Sequence, residues 1–217
     1  MTWDCEELRT LCHRHALPDS TTYQNALQWK LQRADYHAES AQEAWSEIDR
    51  IAEEKGRIQV GGKEWMAAEF AVTAETEAAA QVLHSMLDVL SQIVNLTLLQ
   101  PPLSEAEASL HKVIRKLGEQ NRAPQVATEL ESLRDCYAAE YLDAFVNTIK
   151  HRHLLDTDFR AEFGEGTRNE QGVRFKAFTR NGTPYPVVWA SEILDRYRQN
   201  ITEGICAVGK AINDYLR

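Results

Sequence analysis

Polar side chains that could carry chemistry recur at helical spacing in two parts of this chain. One set comprises Glu77, His84 and Asp88, and the other comprises Glu140, Asp143, Asn147 and His151. Within each set, intervals of three, seven or eleven residues place the members on one face of an α-helix. If the two faces meet, they form a semi-buried polar site that could bind a ligand or transfer protons. The first set, with Glu140 and Asp143, therefore supplies the candidate ligand-binding residues.

A structural role is the favoured interpretation of the same residues. Lys150 and His151 fall in the last turn of their predicted helix, where cations complement the negative end of the helix dipole. Polar residues inside a bundle also fix the register of its helices. No residue is therefore assigned a catalytic role, and the candidates for one are Asn147, Lys150 and His151.

A metal centre is a further alternative. The first set, together with Asp143 and His151, offers carboxylate and imidazole ligands. The sequence lacks the Glu-x-x-His steps that di-iron bundles use. Cys5 and Cys12, with two neighbouring histidines, match no zinc-binding spacing and are expected to pack. We therefore expect no metal and no cofactor.

Long helices must position these residues. An apolar seam with heptad spacing begins at Leu27 and ends at Ala52, and it predicts a helix that ends at Lys55. Alanines in the middle of this seam indicate the close approach of a neighbouring helix. Further helices are predicted over residues 64–99, 104–118, 124–153 and 189–216.

Two alternating segments, Asp158–Phe163 and Val173–Thr179, predict the strands of a β-hairpin. Asn181-Gly182 favours a tight turn after them, and the nearby prolines restrict any third strand to a sheet edge. The phenylalanines of these strands alternate with basic residues, as in sites that stack single-stranded nucleic acid. We favour packing against the bundle instead, because the chain as a whole is acidic.

These elements predict a mainly α fold, an antiparallel bundle of long helices with a small β-hairpin inserted before the C-terminal helix. The bundle is expected to form a single domain over residues 1–217. Within it, residues 1–18 form an N-terminal helical segment and residues 156–188 form the hairpin insertion.

Composition limits the classes of partner. The 33 acidic residues outnumber the 24 basic ones, and the resulting net charge of -9 disfavours RNA and anionic membranes as partners.

The N-terminus lacks the features of a signal peptide, and residues 82–99 contain too many polar side chains to span a bilayer. The four cysteines show no Cys-x-x-Cys spacing. We therefore expect reduced thiols and a cytoplasmic location.

The segment of residues 78–88, followed by Asn147-Thr-Ile-Lys-His-Arg on a later helix, resembles bacterial helical-bundle proteins of the HEPN-like type. The resemblance covers about residues 64–155. Active members of that family are metal-independent ribonucleases with an Arg followed four to six residues later by His. The match to that motif here is Arg9 to His15, in the first helix, whereas His151 follows Lys150 and has no Arg at the required upstream distance. The resemblance implies a bundle fold, a homodimer and a role in stress or defence.

Three hypotheses about function follow. The first is a cytoplasmic, non-enzymatic binding or interaction protein that forms a homodimer and engages a protein partner. The second is a HEPN-like ribonuclease, with His151 as general acid or base, Lys150 stabilising phosphate charge and Asn147 positioning the substrate. The third is a metal-binding helical-bundle enzyme.

Overall fold

The computed structural model of this protein describes residues 3–55, 62–162 and 170–217. The longer helices are α1 (Cys5–Arg14), α2 (Thr21–Lys55), α3 (Lys63–Leu98), α4 (Leu110–Glu119), α5 (Pro124–Arg134), α6 (Tyr137–His151) and α8 (Arg198–Leu216). A short helix α7 (Ala190–Glu192) and a π-helical segment (Ile193–Tyr197) lead directly into α8. The mainly α fold predicted from the sequence is therefore confirmed. No helix in the described ranges is long and apolar enough to cross a membrane.

Within the described residues, five short strands lie before the C-terminal helix, in the region where the sequence predicted a hairpin. They are β1 (Thr157–Glu162), β2 (Glu170–Phe175), β3 (Phe178–Arg180), β4 (Thr183–Tyr185) and β5 (Val188–Trp189). Strands β1, β2 and β5 form one antiparallel sheet in that order, and β3 pairs with β4 around the turn at Asn181-Gly182. The second predicted strand is thus two strands, because the chain leaves the sheet at Lys176-Ala177. Phe163 lies outside the described residues.

The chain divides into two compact units that are each built from separate stretches of sequence. Unit 1 contains residues 1–32, 82–140 and 199–217, and unit 2 contains residues 33–81 and 141–198. Helices α2, α3 and α6 each contribute residues to both units, and so does α8, whose first residue Arg198 belongs to unit 2. The expectation of one domain over residues 1–217 stays a prediction.

Unit 1 has a helical core with very close packing at two glycines of α8. A Cβ atom on Gly204 would lie 2.5 Å from Cδ1 of Leu133, and one on Gly209 would lie 2.0 Å from the indole ring of Trp3. The helix can approach these side chains only because glycine has no Cβ. Of the residues around α1 that were expected to pack, Cys12 is buried and Cys5 is half-buried, whereas His13 and His15 are exposed.

Unit 2 has an aromatic core between α6 and the strands. Phe145 of α6 and Phe175 of β2 are both fully buried, and their ring centroids lie 4.9 Å apart in an edge-to-face arrangement. Phe178 of β3 and Tyr141 are also buried, with ring centroids 5.7 Å apart. Burial of these rings confirms that the phenylalanines at positions 175 and 178 pack against a helix. Edge-to-face pairs of this kind stabilise a core beyond the area that they bury.

The helix predicted over residues 124–153 is in fact two helices, α5 and α6. Asp135 has φ -89° and ψ 0°, outside the helical range, and its carboxylate accepts two hydrogen bonds from Arg134, at 2.6 and 2.7 Å. The N–H of Glu140 then donates to the carbonyl of Cys136 (3.2 Å), which begins α6. Apolar positions keep helical spacing on both sides of the break, so periodicity alone could not locate it.

The helix predicted over residues 104–118 begins instead as a 3-10 turn at Glu105–Glu107, and α4 starts at Leu110. Two side chains of α3 hold this segment. Gln92 donates to the carbonyl of Glu105 (2.8 Å), and Asn95 bonds both backbone groups of Leu103, at 2.7 and 3.0 Å. Because these backbone groups are satisfied by side chains, the segment does not need a regular helix to be stable.

Candidate ligand-binding site

The polar residues predicted from helical spacing fall in both units. Glu77 lies in unit 2 and is half-buried, and burial raises the pKa of its carboxyl group. His84 is half-buried and Asp88 is exposed, and both lie in the part of α3 that belongs to unit 1. Glu140 is an exposed residue of unit 1. The residues that share a helix face are thus divided between the two units, and their assembly into one polar site stays a prediction.

Within unit 2, the predicted residues Asp143 and Asn147 do come together. The amide of Asn147 donates to the Asp143 carboxylate (2.9 Å) and to its backbone carbonyl (2.8 Å). Arg180 of β3 forms an ion pair with the same carboxylate and donates to the same carbonyl (2.8 Å). These bonds attach the β3–β4 hairpin to α6. Lys150 and His151 are exposed at the end of that helix.

The remaining predicted groups have other local surroundings. Arg9 of the Arg–His pattern donates to Gln24 (3.2 Å) and Asn25 (2.6 Å), and His15 Nε2 donates to the carbonyl of Leu216 (2.7 Å). Both residues therefore join α1 to other helices of unit 1. Among the described residues, no group of three or more His, Cys, Asp or Glu side chains could hold a metal ion. The metal hypothesis thus has no candidate ligand set in these ranges.

The site with the clearest geometry is a cavity of about 650 Å³ within unit 2. One face of α2 forms much of its wall, and α3, β2, β5, α7, the π-helical segment and the first residue of α8 contribute the rest. The lining residues are Asp35, Ala38, Glu39, Ala41, Gln42, Trp45, Val72, Gly172, Val173, Trp189, Ala190, Ser191, Leu194, Asp195 and Arg198. A volume of this size lies within the range of small-molecule sites in proteins.

Small residues leave the space for this cavity. Ala38, Ala41 and Ala190 project only a methyl group toward neighbouring elements, and Ala41 packs in a buried cluster with Ala79 of α3 and Leu194. The close approach of a helix predicted from the alanines of α2 is confirmed by this cluster. Gly172 of β2 also lines the cavity, and its backbone φ of +150° is one that residues other than glycine rarely adopt.

Aromatic contacts hold the Trp45 part of the wall in place. The ring of Trp45 stacks on Phe159 of β1, with centroids 5.2 Å apart, and meets Trp65 edge-on at 5.8 Å. Trp65 in turn contacts Phe159 at 4.3 Å and is itself buried. Because its ring touches two others, Trp45 has little rotational freedom where it lines the cavity.

A basic residue fixes the second tryptophan of the wall. The guanidinium of Arg174 lies 5.2 Å from the ring centroid of Trp189, a cation–π distance, and also pairs with Asp158 (3.3 Å). Partial burial alone would raise the pKa of the Asp158 carboxyl, but the hydrogen bonds and charges of Arg174 and Arg160 lower it below its ordinary value. Asp158 is therefore a carboxylate near neutral pH and holds Arg174 over the indole.

The π-helical segment positions the polar side of the cavity. The backbone N–H of Arg198 donates to the carbonyls of Ile193, five residues earlier, and Asp195, three residues earlier, rather than to that of Leu194 as in an α-helix. The side chain of Arg198 bonds the Leu194 carbonyl instead, with its Nε 2.6 Å from that oxygen. Its terminal nitrogen forms an ion pair with Asp35 of α2. Arg198 thereby links the π-helical segment to α2 at the cavity wall.

Sequence reasoning missed the residues of this cavity. Asp35 and Arg198 lie 163 positions apart, and neither belongs to a recognisable motif. The one local signal was the run of alanines in the α2 seam, which indicates a narrow helix face but not a cavity beside it. Trp45 falls on the apolar seam of α2, and its second role as part of a cavity wall depends on the strands that fold against it.

No family model, curated protein or solved structure matches this chain significantly. The HEPN-like resemblance, with the homodimer and the ribonuclease that it implies, therefore stays a prediction.

Proposed function

We propose that this protein is a non-enzymatic binding protein whose ligand is a small molecule held in the cavity of unit 2. The observation that carries the proposal is a cavity of about 650 Å³ whose wall side chains are fixed by ring contacts and ion pairs. Pre-formed, rigid walls reduce the ordering cost of binding. The mixture of apolar and polar groups on the wall is typical of small-molecule sites.

The proposal includes the expected cytoplasmic homodimer with a role in stress or defence. The excess of acidic residues supports a partner other than RNA, because phosphate binding relies on basic surfaces. Native mass spectrometry of the gently purified protein tests assembly and ligand together. A dimer that carries a reproducible small-molecule mass would support the proposal, whereas a monomer would remove the homodimer from it.

A titration with 1-naphthylmethanol, an uncharged aromatic alcohol, tests the cavity itself. We expect one site per chain in isothermal titration calorimetry. Ala38→Leu, which adds bulk at the cavity wall, should weaken binding at least tenfold. Ala74→Leu is the matched control, because Ala74 is exposed on α3 and does not line the cavity. Equal affinity in both variants would contradict the proposed site.

The ribonuclease hypothesis has a separate test. RNA cleavage that persists in chelator and disappears in His151→Ala would support it. RNA that stays intact at high protein concentration would remove it. His151 is exposed, so its replacement by alanine should not disturb the fold.

A further inference from the structure

We propose that the cavity of unit 2 selects an organic cation with an apolar body, such as an aromatic or aliphatic amine. This inference rests on the proposed function, because it names the chemical class of the ligand that the same cavity binds. It follows from three properties of the wall, namely the balance of charge, the commitment of its one basic side chain, and the position of its tryptophans.

The charge of the wall is negative. Three carboxylates, those of Asp35, Glu39 and Asp195, line the cavity together with one guanidinium, that of Arg198, so the described lining residues carry a net charge of -2. Within the described part of the chain, neither Glu39 nor Asp195 has an ion-pair partner, in contrast to Asp35. A cation that enters the cavity compensates this charge, and an anion would add to the repulsion.

The guanidinium of Arg198 does not offer an alternative site for an anion. Its Nε donates to the carbonyl of Leu194, and its terminal nitrogen pairs with Asp35. An anionic ligand would have to displace the Asp35 carboxylate, which is tethered at the same place by α2. The anionic ligand would then be surrounded by the carboxylates of Asp35, Glu39 and Asp195. Arg198 therefore shapes the wall and neutralises one carboxylate, while Glu39 and Asp195 set the sign of the ligand.

The rest of the wall suits an apolar body attached to the cation. Trp45 supplies aromatic surface, and Ala38, Ala41 and Val72 supply aliphatic surface, while the ring of Trp189 already carries the Arg174 guanidinium on one side. Tryptophan is the side chain that attracts organic cations most strongly through its ring, and it also covers apolar groups efficiently. A hydrated inorganic ion would make little use of this surface, so the wall favours an amine that carries hydrocarbon.

Three probes with the same ring and different charge test the inference. They are 1-naphthylmethylamine, which is a cation at pH 7, the uncharged 1-naphthylmethanol, and the anion 1-naphthylacetate. We expect the amine to bind at least tenfold more tightly than the alcohol in calorimetry at low salt, and the acetate to bind most weakly. The preference for the amine should shrink as salt is added, because Glu39 and Asp195 are exposed to solvent and screened by ions.

A pair of double variants locates the selectivity. Glu39→Gln with Asp195→Asn should reduce the affinity for the amine to that for the alcohol, while the alcohol binds as before. Glu43→Gln with Asp88→Asn changes the net charge equally at exposed positions that do not line the cavity, and should leave the preference intact. If amine and alcohol bind equally to the parent protein, charge selection is wrong and the binding function stands. If none of the three probes binds, both proposals fail.

Discussion

Replacing Arg198 is the most direct way to test how the cavity wall is held. The guanidinium makes a hydrogen bond to the Leu194 carbonyl and an ion pair with Asp35, and the two side chains are 31% and 42% exposed. A hydrogen bond contributes about 1 kcal/mol to stability, and a partly exposed ion pair about 0.2–1 kcal/mol after solvent screening. Arg198→Met, which removes both, should lower the free energy of unfolding by about 1–2 kcal/mol.

The two interactions of Arg198 can be separated by a double-mutant cycle. Asp35→Asn leaves the bond to the Leu194 carbonyl in place, so it should cost only about 0.5–1 kcal/mol. The double variant should cost less than the sum of the single variants, with a coupling energy of about 0.5 kcal/mol. Urea titrations followed by far-UV circular dichroism measure all four proteins. The exposed pair Arg50 and Glu47 provides a control cycle, in which we expect no resolved coupling.

The conservative variant Arg198→Lys tests geometry rather than charge. A lysine ammonium cannot reproduce the planar arrangement in which one nitrogen bonds a carbonyl and another bonds a carboxylate. We therefore expect lysine to recover at most half of the stability lost in Arg198→Met. Full recovery by lysine, or additive costs in the cycle, would refute the assignment of Arg198 as the link between α2 and the π-helical segment.

Three further predictions concern packing and pH. Gly209→Ala should lower the free energy of unfolding by about 1–2 kcal/mol in urea titrations, because the added Cβ would overlap the ring of Trp3. Gly118→Ala, with open space around it, should raise the free energy of unfolding by up to about 1 kcal/mol. A change of the same sign for both variants would contradict the packing. Phe145→Ala should lower the free energy of unfolding by about 3–5 kcal/mol, whereas Phe70→Ala, at a site 74% exposed, should leave it almost unchanged. Similar losses for both variants in the same titrations would show that Phe145 is not a core residue. Burial raises the pKa of the Glu77 carboxyl group above its value in the unfolded chain. The contribution of this group to the free energy of unfolding is therefore fully present below the unfolded pKa and is lost as pH rises through the folded pKa. Glu77→Gln should therefore stabilise the protein more at pH 7 than at pH 4 in thermal unfolding, and an equal effect at both values would contradict this.

The sequence predicted the long helices well because their signals are local. Ala34 and Ala41 of the α2 seam are almost fully buried, and α3 ends at Leu98, just before the two prolines that cannot continue it. The interruptions were not predictable in the same way. The break at Asp135 and the 3-10 turn at Glu105 depend on side-chain bonds, from Arg134 in one case and from Gln92 in the other.

The candidate site depends even more on contacts between distant segments. Helical spacing correctly grouped Asp143 with Asn147, but it could not show that Arg180 of a later strand binds the same carboxylate. No sequence pattern relates Asp35 to Arg198, and the two side chains meet only because a π-helical segment precedes Arg198. In a π-helical segment each N–H bonds the carbonyl five residues earlier instead of four, and the spacing of apolar residues in this chain does not predict such a segment.

The use of small residues in the two units supports a cavity that is retained for a purpose. In unit 1, Gly204 and Gly209 are so closely covered by Leu133 and Trp3 that neither has room for a methyl group. In unit 2, alanines and Gly172 line about 650 Å³ of space. This space is open to solvent, because Glu39, Gln42, Ser191 and Asp195 on its wall are exposed. Larger side chains at Ala38 or Ala41 would fill it, so the small residues of unit 2 keep open the space beside Trp45 and Trp189 in which we propose that the ligand binds.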